Sequence, residues 1–190
     1  MNKLIIIIGG VGSGKSTFAK KLGGKTVSSD SVRKALYGNE SVIFNEEISE
    51  MLINEKGISP CSMSSEELKQ LKHELCEDYV FVVARRKCCD LLKDGYDVVY
   101  DSTNFKKKYR SQLLLEAEGL YDECEAFVMD VPLETAILRN ASRKRNEPES
   151  IVREICSMLE FPEYSEGYDR IFSVDSNSDI SLVPKCGDSV

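Results

Sequence analysis

The octapeptide Gly9-Gly10-Val11-Gly12-Ser13-Gly14-Lys15-Ser16 satisfies the pattern G-x-x-x-x-G-K-[ST]. The chemistry written there is phosphate capture. Glycines at 9, 12 and 14 let the backbone turn sharply, so that its N–H groups, with that of Ser13, face phosphate oxygens. Lys15 reaches the β- and γ-oxygens as a point charge, and the Ser16 hydroxyl suits Mg2+. Thr17, the next residue, falls where an α-phosphate would lie. A plain Gly-rich turn is the alternative. From average residue usage a chance match in a chain this long is on the order of one in a hundred.

More groups of the right type follow. Asp30 and Arg33 are three residues apart at a predicted helix start, hence on one face. The carboxylate can take the proton of an attacking hydroxyl and the guanidinium can hold an anionic group on the acceptor. Asp30 can also simply cap the helix. Asp101 ends the apolar run Val98-Val99-Tyr100, where a carboxylate can hold Mg2+ directly or through water. Its alternative is likewise a cap, a part that Ser102, Thr103 or Asn104 could also play. Arg139 and Arg143 are one helical turn apart, either as cations at a helix C-terminus or as arginines laid on a transferring phosphate by a lid. The run Lys106-Lys107-Lys108-Tyr109-Arg110 reads as a solvated face or as a contact to an acceptor phosphate. His73, the single histidine, reads as a surface residue.

Placing these groups together requires a parallel sheet. Lys3–Ile8 is a continuous β-branched run of the kind buried on both faces. Further strands are expected over 25–29, 97–100, 125–131 and 170–174. They alternate with helices over 15–22, 30–37, 104–118, 133–143 and 149–160. The pattern is α/β, a three-layer sandwich of about five parallel strands with helices on both faces. In such a sheet ligands sit outside the carboxyl ends of the strands, where Gly9, Asp30 and Asp101 each follow a strand. Residues 39–79 form a helical insertion, with one helix near Val42–Leu52 and a second opened by the capping box Ser64-x-x-Glu67. A lid is expected over 132–160 and a polar tail over 176–190.

Composition bounds the rest. The 190 residues are 42% hydrophobic and 30% charged, one domain's worth of ordinary globular chain. At that size a single core buries roughly 70% of the unfolded surface. The longest aliphatic block, Leu4–Ile8, is far short of the ~20 residues of a membrane span, and no signal-peptide pattern stands at the N-terminus. A cytoplasmic protein without membrane contact is the expectation. Net charge is −7, which argues against coating nucleic acid. Eight of the 25 basic residues nevertheless fall in the two runs 106–110 and 139–145, a spot able to steer one anionic end. Seven cysteines without regular spacing read as reduced packing residues.

Taken in order, Gly9–Thr17, Ser29-Asp30-x-x-Arg33, Asp101-Ser102-Thr103-Asn104, Val131-Pro132, Arg139-Asn140-x-x-Arg143 and Glu166-Gly167-Tyr168-Asp169-x-Ile171 resemble the P-loop polynucleotide 5′-kinases. These include the kinase domains of phage and bacterial end-healing enzymes. The resemblance spans roughly residues 3–175. It implies a P-loop kinase domain over 1–175 that uses ATP and Mg2+ to phosphorylate a 5′-hydroxyl of a nucleic acid or nucleotide. It implies Asp30 as general base, Arg33 on the acceptor, Lys15 and Ser16 on phosphates and metal, and Arg139 and Arg143 as lid arginines. Thr103 and Asn104 are expected on the acceptor side, and the Asp101 strand beside the P-loop strand. Two other readings stay open: a kinase of a nucleoside, sugar or other metabolite, and a P-loop ATPase switch with no acceptor.

Overall fold

The computed structural model describes residues 1–38, 44–143 and 146–185. The chain divides into two compact units, Met1–Ser28 with Lys87–Val190, and Ser29–Arg86. Among the described residues no helix is long and apolar enough to cross a membrane.

The first unit holds one six-stranded sheet. Its strands are β1 (Lys3–Ile8), β2 (Lys25–Ser28), β3 (Val98–Asp101), β4 (Glu123–Met129), β5 (Arg170–Val174) and β6 (Ile180–Leu182), in spatial order β2-β3-β1-β4-β5-β6. The first five are parallel, and β6 runs antiparallel to β5. The architecture is thus the expected α/β sandwich of five parallel strands, with one strand added at the edge. The β-branched run of β1 is central and buried from Leu4 onward, because strands pair with it on both sides. From β1 the chain steps outward to β2, returns to β3, then crosses to β4 on the other side of β1. That reversal puts the loop after β1 at the ligand-binding crevice of an open α/β sheet.

Several boundaries differ from the sequence expectation, four of them for a plain local reason. Helix α1 (Lys15–Ala19) stops short of Leu22, because Lys21 and Leu22 already close tight turns onto the Phe18 and Ala19 carbonyls before Gly23. A five-residue helix is far below the length that survives alone. It is held by Phe18 and Ala19, which pack on Ile5, Ile7, Val99, Phe127, Met129 and Val174. Helix α5 (Lys107–Glu116) starts three residues late because Asn104 takes a left-handed φ of 48°. Strand β4 is two residues earlier than expected, since its register with β1 begins at Lys3↔Glu123. Strand β6 forms inside the segment expected to be only polar tail.

The second unit is helical: α2 (Ser29–Tyr37), α3 (Glu46–Glu55) and the larger part of α4 (Ser65–Lys93). The Asn45 side chain caps α3 by accepting from the Ile48 N–H at 3.1 Å. The expected start of this helix at Val42 lies outside the described residues. The Ser64–Glu67 box opens α4 as its spacing predicts: Glu67 Oε2 accepts from Ser64 N–H at 2.7 Å and Ser64 Oγ from Glu67 N–H at 3.3 Å. Leu52, Ile53 and Leu75 form the centre of a small core, with Ile48, Leu68, Leu71 and Tyr79 around it.

Helices α6 (Leu133–Ala141) and α7 (Glu149–Ser157), in the stretch expected as a lid, belong to the first unit. The turn between them is clasped by Asn140, whose side chain donates to the Glu147 carbonyl at 2.8 Å and accepts from the Glu147 N–H at 3.1 Å. Lys144 and Arg145 lie outside the described residues. The six described cysteines are all free thiols. Burial pushes the Cys124 thiol up to about 12, with Asp169 and Glu125 adding to the rise.

Candidate active site

The loop between β1 and α1 folds around one backbone carbonyl, that of Gly10. The Gly10 carbonyl accepts from Ser13 Oγ at 2.8 Å, from the Ser13 N–H at 3.4 Å and from Lys15 Nζ at 2.5 Å. Three donors on one carbonyl fold the loop into a tight cup, with the Lys15 ammonium at its mouth. Gly12 has φ +78°, and a Cβ there would stand 2.1 Å from the Ala136 carbonyl oxygen of α6. Two independent constraints, backbone sign and backbone proximity, therefore admit only glycine. Gly14 takes φ +94°, which frees the N–H groups that open α1. Ser16 and Thr17 are exposed.

Asp101 ends β3 and is in register with Ile7 on one side and Ser28 on the other. Register with Ile7 brings the acid to the strand that feeds the P-loop, and the carboxylate is buried. The strand expected beside the P-loop strand is the one found there. The next three residues lock this arrangement. The Thr103 carbonyl accepts from the Gly9 N–H at 3.0 Å. The Asn104 amide is buried and donates to the Ile7 carbonyl at 2.7 Å and the Ser102 carbonyl at 3.3 Å. These contacts tie the Asp101 loop to the P-loop. They occupy the Asn104 amide, which sequence reasoning put on the acceptor.

The donor set suits Mg2+. Among the described residues no three His, Cys, Asp or Glu side chains gather as a metal cage. Mg2+ needs none, since it is commonly held by one or two carboxylates together with substrate phosphates. Asp101 and the Ser16 hydroxyl are the residues that would hold it.

Beside the loop lies a cavity of about 220 Å³, lined by Ser13, Gly14, Thr17, Phe18, Met129, Arg139, Asp175, Ser176 and Ser178. Arg139 spans it, donating to the Ser176 carbonyl at 2.8 Å and to the Ser13 carbonyl at 3.4 Å. The far wall is fixed by Asp175, whose Oδ1 accepts from the N–H groups of Asn177 and Asp179 at 2.8 Å each. Arg143 is exposed and stands beyond the end of α6 at Ala141. Arg139 thus lines the cavity, and Arg143 follows the helix end. Sequence reasoning missed the 175–178 wall because its contact to Arg139 is a backbone carbonyl, which has no residue-type signature. The turn residues Asp175, Asn177 and Asp179 were the available signal.

The basic run 106–110 also resolves. Lys107 pairs with Glu163 at 3.1 Å, in solvent. Arg110 is fully buried, with Nε and Nη2 each 2.8 Å from the two Glu166 carboxylate oxygens, and with Nη1 on the Asn104 and Glu160 carbonyls. It is a structural tie, not an acceptor contact.

In the helical unit, Asp30 is the second residue of α2 and Arg33 follows one turn on. Arg33 Nη1 donates to Asp30 Oδ1 at 2.7 Å, and Nη2 to Glu77 Oε1 of α4 at 2.6 Å. The Arg33 side chain is 7% exposed, against 38% for Asp30 and 32% for Glu77. Spacing had suggested the Asp30–Arg33 pair. Glu77 was missed, since one more acid on a helix rich in Glu and Lys carries no mark.

A family model described as "AAA domain" matches residues 4–160, and the chain belongs to that family. No curated protein matches the sequence. Among solved structures, a gluconokinase from Sinorhizobium meliloti aligns at TM-score 0.52 and 17% identity, covering 91% of this chain and 82% of its own. A sugar kinase from a Janibacter species aligns at 0.54 and 17%, covering 92% and 86%. Kti12 from Chaetomium thermophilum, crystallised with ADP-AlF3, aligns at 0.53 and 18%, covering 93% and 90%. These likenesses establish a P-loop kinase-type fold.

Proposed function

We propose that this protein is an ATP-dependent phosphotransferase that moves the γ-phosphoryl group to a hydroxyl, with the 5′-hydroxyl of a polynucleotide or nucleotide as its acceptor. The observation that carries the reading is the first unit's P-loop: a backbone cup with Lys15 at its mouth, a buried carboxylate in register beside it, and a cavity floored by Gly14 and Thr17. The N–H groups of Gly12, Gly14, Lys15 and Ser16, with the Lys15 ammonium, hold the triphosphate, so that charge developing in transfer meets fixed dipoles. The cavity under Arg139 takes the nucleoside end. This moves Arg139 from the transferring phosphate, where spacing had put it, to the donor's base. Ser16 and Asp101 would hold Mg2+, which would supply charge neutralisation for the phosphates. Asp30 accepts the acceptor's hydroxyl proton as its oxygen bonds to the γ-phosphorus, the β–γ bridging bond breaks and ADP leaves.

One observation favours a second reading, phosphorylation of an uncharged small metabolite. Arg33, the expected grip on an acceptor phosphate, is buried and already engaged by two carboxylates. A strand acceptor would bind less tightly as salt rises, whereas a neutral metabolite would not. The deciding experiment is label transfer from γ-labelled ATP to 5′-hydroxyl DNA and RNA, 3′-nucleotides, nucleosides and sugars. Transfer to an oligonucleotide supports the first reading, transfer only to a sugar or nucleoside the second. ATP hydrolysis unaltered by every acceptor sinks both. Asp30→Asn should lower turnover about 10²–10⁴-fold with ATP binding intact. Near-normal turnover would reduce Asp30 to a helix cap.

A further inference from the structure

Arg33 is held as a clamp between two acids, and only one of them was suggested by sequence. Its Nη1 is on Asp30 and its Nη2 on Glu77. The same two helices are pinned one turn further along, where Tyr37 Oη donates to the Cys76 carbonyl at 2.7 Å. Residues 33 and 37 of α2 thus face residues 76 and 77 of α4, and the guanidinium has no freedom to swing. The clamp is not saturated. Arg33 Nε and Glu77 Oε2 are buried and have no hydrogen-bond partner among the described residues. A purely structural ion pair would use those atoms, because a buried donor or acceptor left unmade is costly.

Geometry explains the arrangement. Arg33 reaches Asp30 through one nitrogen, a contact about which the guanidinium could turn. Glu77 on the opposite nitrogen removes that freedom. We propose that Glu77 is a positioning residue for phosphoryl transfer: through its ion pair with Arg33 it fixes the orientation of the Asp30 carboxylate. This rests on the phosphotransfer reading, and within it assigns Arg33 to the base rather than to the acceptor.

The test is a double-mutant cycle in the full chain, read as turnover of whichever acceptor the wild type labels. Glu77→Gln keeps the shape and the hydrogen bond and removes the charge. It should lower kcat about tenfold, leave the KM for ATP unchanged and leave Tm within about 2 °C. Placed on Asp30→Asn, the same change should slow residual turnover no further, because the group through which Glu77 acts is gone. Glu77→Asp, which keeps the charge, should recover most of the lost turnover. Should Glu77→Gln melt far below the wild type, Arg33→Lys, still a cation between two acids, replaces it in the cycle. Wild-type turnover by Glu77→Gln overturns the inference alone. An equal loss in both backgrounds also overturns it and makes Glu77 a structural residue. Absence of transfer by the wild type overturns the phosphotransfer reading, and this inference with it.

Discussion

Two buried arginines in this molecule solve the same electrostatic problem in opposite ways. Arg110, in the sheet unit, is fully buried and has every guanidinium nitrogen engaged: a two-point pairing with Glu166 and two backbone carbonyls. Burial alone would lower its pKa, but the Glu166 carboxylate outweighs that and raises it. Arg33, in the helical unit, is nearly as buried and leaves Nε unpartnered among the described residues, between acids that remain partly in water. A saturated buried charge ties segments together. An unsaturated one beside a carboxylate with a proposed chemical task is where local rules are expected to yield to function.

The comparison breaks most visibly at the two arginines themselves. Arg110→Met would leave Glu166 buried without a counter-charge, a loss of about 3–5 kcal/mol. For a chain this size that lowers Tm by roughly 6–20 °C. Arg33→Met would release two acids that can rehydrate, costing no more than about 1.5 kcal/mol, the low end for a charged hydrogen bond. Turnover, however, should fall by at least about tenfold. Thermal melts and label transfer on the two variants check this together. Equal melting losses would erase the distinction between tie and clamp.

Sequence told these two residues apart badly, and the reason is physical. Arg110 sits in Lys106-Lys107-Lys108-Tyr109-Arg110, and a run of cations reads as one face until burial separates its members. Its partner Glu166 is 56 residues away. Glu77 is 44 residues from Arg33, on a helix whose polar residues look alike. The P-loop was legible for the opposite reason. Its requirements are residue types: glycine where φ is positive and a backbone oxygen is close, lysine at the mouth, a hydroxyl after it. Strands β1 and β3 were legible because buried β-branched runs have few other homes. Strand β6, three exposed residues paired along one edge, has no such pattern.

A third arginine sharpens the contrast by a smaller amount. Arg139 donates to the Ser13 and Ser176 carbonyls, on the wall of the cavity assigned to the nucleoside. Arg139→Ala should raise the KM for ATP about tenfold, about 1.4 kcal/mol, and change kcat less than about threefold. A fall in kcat of about 10³-fold or more would instead put this arginine on the transferring phosphate, as its spacing with Arg143 had suggested.

The smallest effect probes how the helical unit is held at its surface. Glu67 accepts from the backbone N–H of Ser64, and that bond, with the Ser64 hydroxyl second, holds its carboxyl below the ordinary value of 4.5. A depressed folded-state value means that the folded chain binds the proton less readily than the unfolded chain. The stabilisation is therefore present above the unfolded value and is lost as pH falls through the folded one. Glu67→Gln preserves the capping box without the charge. Wild type should melt slightly above this variant at pH 7, and the gap should close below about pH 4.5, where the two side chains become equivalent. A gap that persists unchanged to pH 3 would show that the glutamate acts through packing rather than through its charge at the start of α4. The helical unit would then owe its entry turn to its small core and not to its cap.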